Sequence, residues 1–252
     1  MNIVQNLYNS RNVLKKVLDI RGYNSNTEIK DYTIDELDRD YDSSSANGTV
    51  SDKFSFSVTH KEIPEQKTHV LYYNIPKKGD SRAPRVTRSI INTINSLYEE
   101  EDNNIEDNCL IVINEAQSET IMKLIIKLNI EHRENIINDD TGENNPTIQE
   151  FIQNSNNKYN YKYLGNVHVI WLKILALDPL SHSMVPEHRI IKDSEEIKEI
   201  LIKCNCNKNQ LPIIHSYSDN IAALLCATPG DVCEVKRINK HSGIAFAYRL
   251  CK

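Results

Sequence analysis

The run Cys109-Leu-Ile-Val-Ile113 restricts the fold more than any other stretch of the chain. Consecutive apolar residues without alternation are the pattern of a strand covered on both faces, as in α/β layers. Ser118 follows closely and is placed to cap a helix. Ile121, Leu124, Ile125 and Leu128 then repeat at helical spacing along one face. Strand, short turn and helix make a βα unit, so the first part of the chain reads as α/β.

The neighbouring segments extend this unit. Residues 3–21 read as an amphipathic helix with Leu7, Leu14, Val17 and Leu18 on one stripe, stopped by Arg21-Gly22. Residues 42–49 are a polar loop, and Phe54, Phe56 and Val58 alternate as on a half-buried strand. Val70 to Ile75 reads as another strand, and Val86, Ile90, Ile94 and Leu97 suit a helix that ends in the acidic run 99–102. Thr147-Ile-Gln-Glu150 is a capping-box pattern announcing one more helix, and Val167, Val169 and Trp171 alternate as a strand. After Pro186 the texture changes. Asp193 and Glu196 open a helix carrying Ile197, Ile200 and Leu201, and a short helix follows Ser218. The chain then reads as a hairpin: a strand near Val232–Ile238, a turn at 239–243, and a strand with Phe246, Tyr248 and Leu250 on one face.

Charge divides the chain at the same place. The net charge of -5 splits into -7 for residues 1–182 and +2 for residues 183–252. With 252 residues, two domains are expected, 1–182 and 183–252. An acidic chain is no general nucleic-acid coat, so such a role requires a local patch. Lys77, Lys78, Arg82, Arg85 and Arg88 form one, with a single Asp among them. No aromatic residue interleaves them, which fits backbone phosphates better than stacked bases. The N-terminus shows no signal-peptide pattern, and Val167 to Leu177 is too short to cross a bilayer. The six cysteines are therefore expected as reduced thiols inside a cell. The abundance of Asn and Ile, 29 and 32 residues against 9 Ala, points to an A/T-rich genome such as a parasite or a large DNA virus.

The sequence carries no enzyme signature. Phosphate-binding glycine loops, nucleophile elbows and zinc-protease motifs are absent. Glu-x-Lys occurs at Glu28-Lys30, Glu196-Lys198 and Glu234-Lys236, but without the upstream strand Asp that a metal-dependent nuclease needs. Cys204-Asn-Cys206 lacks a second pair for zinc, and His182, His188 and His215 lack a completing ligand. No catalytic residue, metal or cofactor is expected.

The most informative residues lie in the last third. Val185-Pro-Glu-His188, the helix 194–203, Asn209-Gln-Leu-Pro212, Pro229-Gly-Asp-Val232 and Ala247-Tyr-Arg-Leu250 follow one another in an order and spacing that resemble a known module. It is the assembly domain of the fifth subunit shared by eukaryotic RNA polymerases I, II and III, a domain that stands alone as a small subunit of the archaeal RNA polymerase. Leu7-Tyr-Asn-Ser-Arg11 through Asp19-Ile-Arg-Gly-Tyr23, and Met122-Lys-Leu124, look more loosely like that family's N-terminal jaw. Departures are Ile213 in place of an Arg, Asn220 in place of a Pro, Ala227-Thr-Pro229 in place of a basic stretch, and Ile244-Ala245 after Ser242-Gly243.

The resemblance implies an α+β protein: an N-terminal α/β jaw domain, a nuclease-like sandwich without active site, and a small mixed α+β assembly domain. It implies a non-catalytic polymerase subunit that binds the largest subunit and other subunits, with no cofactor, membrane or small-molecule substrate. Pro186, His188, Leu211, Pro212, Phe246, Tyr248 and Arg249 are the expected partner-binding residues. Lys77, Lys78, Arg82, Arg85 and Arg88 are expected near downstream duplex DNA. The implied location is the nucleus in a cell, or a virion or viral factory for a viral homologue. A Mg-dependent nuclease and a stand-alone DNA-binding regulator remain the alternatives.

Overall fold

The computed structural model describes residues 3–43, 53–64, 66–76, 85–99, 103, 107–141, 165–239 and 243–252. The chain divides into two compact units, Met1–Asn129 with Gly165–Pro179, and Ile130–Leu164 with Leu180–Lys252. The expected helix at Thr147–Glu150 lies outside the described residues, as do most of the polar loop 42–49 and the centre of the turn at 239–243.

The first unit is built on a four-stranded sheet in the order β1-β2-β3-β4. Its strands are β1 (Phe56–Thr59), β2 (Lys67–Tyr73), β3 (Asn108–Ile113) and β4 (Val167–Trp171). β1 is antiparallel to β2, and β2, β3 and β4 run parallel. Parallel neighbours need crossovers, supplied by helices α4 (Ser89–Tyr98) and α5 (Glu119–Thr141). Every residue of β3 is buried, as its unbroken apolar run requires. Ile121 N–H donates to Ser118 Oγ at 3.3 Å, so Ser118 caps α5.

Helix α1 (Ile3–Ile20) buries Leu7, Leu14, Val17 and Leu18. It covers one face of the sheet, where the Ser10 and Tyr72 hydroxyls meet at 2.8 Å. Burial pushes the Tyr72 phenol up to about 12, against the smaller opposing effect of the Ser10 hydrogen bond. The opposite face carries Tyr73, whose hydroxyl meets Ser89 of α4 at 3.0 Å. Arg11 is buried; it donates to Phe54 O at 2.6 Å, and its guanidinium lies against the rings of Tyr32 and Phe56. α1 ends where Gly22 turns at φ +88, and a side chain there would press on the His60 ring at 3.0 Å. Helices α2 (Ser25–Glu28), α3 (Ile34–Ser43) and α6 (Leu172–Ala176) complete this unit.

Both outer strands of this sheet meet polar groups along their free sides. At β1, Thr59 N–H donates to Glu28 Oε2 at 2.7 Å and Thr59 O accepts from Asn24 N–H at 2.9 Å. Glu28, one of the Glu-x-Lys carboxylates, thus binds a strand backbone. At β4, Asn129 of α5 accepts from Val167 N–H at 2.8 Å and donates to Val167 O at 2.9 Å, and the Gln117 amide donates to Val169 O. Among the described residues no further strand pairs with β4, and the two amides meet its backbone instead.

The second unit holds a sheet in the order β5-β7-β8-β6. Its strands are β5 (Glu187–Ile191), β6 (Ile213–Ile214), β7 (Val232–Asn239) and β8 (Gly243–Cys251). β7 and β8 form the expected hairpin, β5 pairs antiparallel with β7, and β6 pairs parallel with the last two residues of β8. Helix α7 (Ser194–Lys203) covers one face over Ile191, Ile197, Ile200, Leu211, Val232 and Leu250. Helix α8 (Asn220–Leu224) covers the other over Ile214, Ala222, Ala227, Cys233, Val235 and Cys251. Asp193 caps α7, and Asp219 caps α8 through Ile221 and Ala222 N–H at 2.9 and 3.0 Å. The substitution at Asn220 therefore leaves the cap in place.

Candidate functional site

Among the described residues, the helices of the second unit cover only one end of its sheet. Cross-strand pairs share a face, so β7 and β8 present Val232 with Leu250, Glu234 with Tyr248, Lys236 with Phe246 and Ile238 with Ile244 in succession. The first pair belongs to the core under α7. Ile238, Ile244 and Phe246 at the far end are 87%, 58% and 53% exposed. Three large apolar side chains thus stand together in water, where isolated ones would need no explanation.

A polar belt separates core from tip. Arg189 of β5 reaches Glu196 Oε1 at 2.6 Å and Glu234 Oε1 at 3.2 Å, and these two carboxylates raise its already high pKa. The remaining Glu-x-Lys carboxylates are therefore held by one guanidinium. Lys236 and Glu187 pair at 2.9 Å in the next rung. On the other side of β5, Lys192 Nζ reaches Asp231 Oδ2 at 3.0 Å; the same oxygen accepts from Thr228 N–H at 2.8 Å. This closes the loop that contains Cys226 and Gly230, both at positive φ.

The free side of β8 is the second feature. Leu250 and Lys252 turn their N–H groups toward the β6 line, donating to Pro212 O and Ile214 O at 2.8 and 3.0 Å. Ladder alternation then directs the backbone groups of Ile244, Phe246 and Tyr248 the same way. Among the described residues β6 pairs only with Leu250 and Cys251, so no strand lies beside 244–248. An unpaired edge flanked by exposed apolar side chains has the chemistry of a strand-addition site.

The expected partner-binding residues fall on different parts of this unit. Phe246 sits on the exposed tip, while Tyr248 is half-buried against the α7 core, where burial and Glu234 raise its pKa. Arg249 is half-buried on the opposite face and donates to Ile213 O at 3.3 Å. Leu211 is in the core, Pro212 is exposed, and Pro186 and His188 are half-buried, with His188 Nδ1 lying 2.6 Å from Pro186 O. Alternation along β8 reveals the shared face of Phe246 and Tyr248. It does not single out Ile238 and Ile244 as surface residues, because apolar alternation ordinarily signals burial.

Of the basic cluster, Lys77, Lys78 and Arg82 lie outside the described residues, and Arg85 and Arg88 are exposed just before α4. Val86 N–H donates to Glu115 Oε1 at 2.5 Å, which fixes this segment at the carboxyl end of β3. That end of a parallel sheet is where α/β folds place their ligands. Among the described residues, no group of three His, Cys, Asp or Glu side chains is placed to hold a metal, and no helix is long and apolar enough to cross a membrane.

Comparison with known proteins bears on this unit. A family model for the C-terminal domain of RNA polymerase Rpb5 matches residues 177–251. DNA-directed RNA polymerase subunit Rpo5 of Thermococcus celer is 44% identical over 73 residues, 29% of this chain and 87% of that one. The Thermococcus kodakarensis protein of the same name is 45% identical over 69 residues, 27% and 82% of the two chains. That of Sulfurisphaera tokodaii is 37% identical over 75 residues, 30% and 87%.

Proposed function

The chain belongs to the Rpb5 family of RNA polymerase subunits, and on that premise we propose that its second unit docks it onto the largest subunit of the enzyme. It is a non-catalytic subunit of a DNA-directed RNA polymerase, and nothing supports the nuclease alternative. The observation that carries the docking proposal is the open side of β8 beside the exposed Ile238, Ile244 and Phe246. A partner strand added there gains main-chain hydrogen bonds, and its apolar side chains meet the tip. Residues 183–252 are then the assembly domain, with Phe246 as an anchor and Pro186, His188, Leu211, Pro212, Tyr248 and Arg249 shaping or bordering the surface.

The test uses the full chain co-expressed with the largest subunit. Ile244→Asp together with Phe246→Asp places two charges in the apolar contact, and co-purification should fall by about 100-fold, the scale of a buried hot spot. Co-purification at the original level would remove the proposal.

Residues 1–182 serve in this reading as a jaw near downstream DNA, with the segment 77–88 touching phosphates. Support comes from the exposed Arg85 and Arg88 at the carboxyl end of the parallel strands. Each lost phosphate contact lowers the salt slope of binding by about 0.9. Arg85→Glu with Arg88→Glu in an assembled polymerase should therefore flatten the salt dependence by about two such steps. An unchanged slope would sink the DNA role. The relatives come from cellular organisms; a nuclear site in a nucleated cell, or a virion or viral factory for a viral homologue, is the corresponding location.

A further inference from the structure

A serine, a histidine and an aspartate line up across β1, β2 and the residue that precedes β3 in the first unit. Ser57 of β1 and His69 of β2 are direct cross-strand partners. His60 N–H donates to Gln66 O in the same ladder, so the alternation makes Ser57–His69 a pair without backbone bonds between its members. Side chains in such pairs come closest, and Ser57 Oγ lies 2.7 Å from His69 Nδ1. His69 Nε2 lies 3.2 Å from Asp107 Oδ2, just before β3. The other oxygen of Asp107 accepts from Lys67 N–H at 2.8 Å. Exposure falls along this line: Ser57 is exposed, His69 is 2% exposed and Asp107 is fully buried.

The chemistry of the three groups fixes their roles. A carboxylate offers only acceptors, so the imidazole carries its hydrogen on Nε2, toward Asp107. Nδ1 then presents a lone pair, and the Ser57 hydroxyl donates into it. A hydroxyl bonded to a base that a third group orients is the arrangement of an activated nucleophile. The ring nitrogens exchange places relative to the familiar serine-histidine-aspartate order, but the roles are unchanged.

We propose that Ser57 is a reactive hydroxyl that accepts an acyl group from activated carboxylic esters, with His69 as its general base and Asp107 as a positioning residue. In the transfer, Ser57 Oγ bonds to the carbonyl carbon as its proton passes to His69 Nδ1. The bond from carbonyl carbon to leaving oxygen breaks, and that oxygen takes the proton back from His69. Ladder alternation directs the Ser57 N–H away from β2, so it is not taken up by the ladder. This site is independent of the docking surface on the other unit.

The full chain is treated with p-nitrophenyl acetate, and the acetyl group is located by peptide mass spectrometry. Ser57 should be acetylated about 100-fold faster than the exposed Ser194, a typical gain from general-base assistance. Acetylation of Ser57 at or below the rate of Ser194 would overturn the proposal without any variant being made. His69→Gln, which accepts the Ser57 hydrogen bond but takes no proton, should return Ser57 to the Ser194 rate in a chain with an unchanged melting curve. Retained fast acetylation in that variant would equally overturn it. Asp107→Asn should slow acetylation while leaving Ser57 as the modified residue, and an unchanged rate would remove the positioning role.

Discussion

The two sheets treat their outer strands in opposite ways. In the first unit, Thr59 of β1 is met by Glu28 and Asn24, and Val167 and Val169 of β4 are met by Asn129 and Gln117. In the second, β6 stops after two residues and leaves the side of β8 at 244–248 without a strand among the described residues. The same contrast holds for side chains. β2, β3 and β4 are buried almost throughout, whereas the hairpin ends in three exposed apolar residues. An edge closed by the chain's own side chains resists pairing, and one left open beside apolar surface invites it. One sheet has its outer strands met by its own side chains, and the other keeps an open side that the proposed docking would fill.

The largest effect is expected at the closed edge. Asn129→Leu removes both side-chain bonds to Val167 and leaves buried backbone groups unmet, which should cost about 2–4 kcal/mol. Denaturant unfolding measures it, and a loss below about 1 kcal/mol would mean that the edge is not held this way.

The open edge should behave oppositely. Phe246→Pro removes a side chain and an N–H that points away from β7, so folding should change little while partner affinity falls by about 2 kcal/mol. Titration of the full chain against the largest subunit checks this; equal affinities for Phe246→Pro and Phe246→Ala would show that the backbone edge takes no part. Arg189→Ala, in the belt between core and tip, should cost about 1 kcal/mol, because its ion pairs are half-exposed and partly screened.

The smallest effect comes from pH. Burial pushes the Cys233 thiol up to about 11 and the Cys251 thiol higher still. A raised value in the fold means that the protonated form is favoured there. This contribution is complete below about 8.5, the free-thiol value, and is lost as pH rises through the folded values. The melting temperature of the second unit should therefore start to fall above about pH 9. Conversely, exposed Cys204 should react with a thiol reagent at neutral pH, and buried Cys109, Cys226, Cys233 and Cys251 only on unfolding. Fast labelling of Cys233 in the native chain would contradict its buried position under α8.

Much of this contrast is legible in the sequence. The apolar run of β3, the Ser118 cap, the stripe of α1 and the β7–β8 hairpin all stand where local pattern puts them. What local pattern misses is held by distant partners. β5 contains Glu187, His188 and Arg189, and it is a strand because β7 pairs with it. α3 is strongly acidic and carries no long apolar stripe, yet Leu37 and Tyr41, one turn apart, are buried, and the Tyr41 hydroxyl donates to Pro76 O at 2.6 Å. At the candidate surface, period two identifies a shared face without saying whether that face is covered. Exposure of Ile238 and Ile244 depends on α7 reaching only part of the sheet. The alignment of Ser57, His69 and Asp107 is invisible in the sequence for the same reason, since strand register sets it.

The bare hairpin tip also has a cost for the free molecule. Ile238, Ile244 and Phe246 beside an unpaired strand are the elements from which one copy can template another. A chain made in excess of its partner would therefore lose solubility as its concentration rises. If the proposed docking holds, production matched to that of the partner subunit would keep the unassembled pool dilute, and the tip would tie supply to demand.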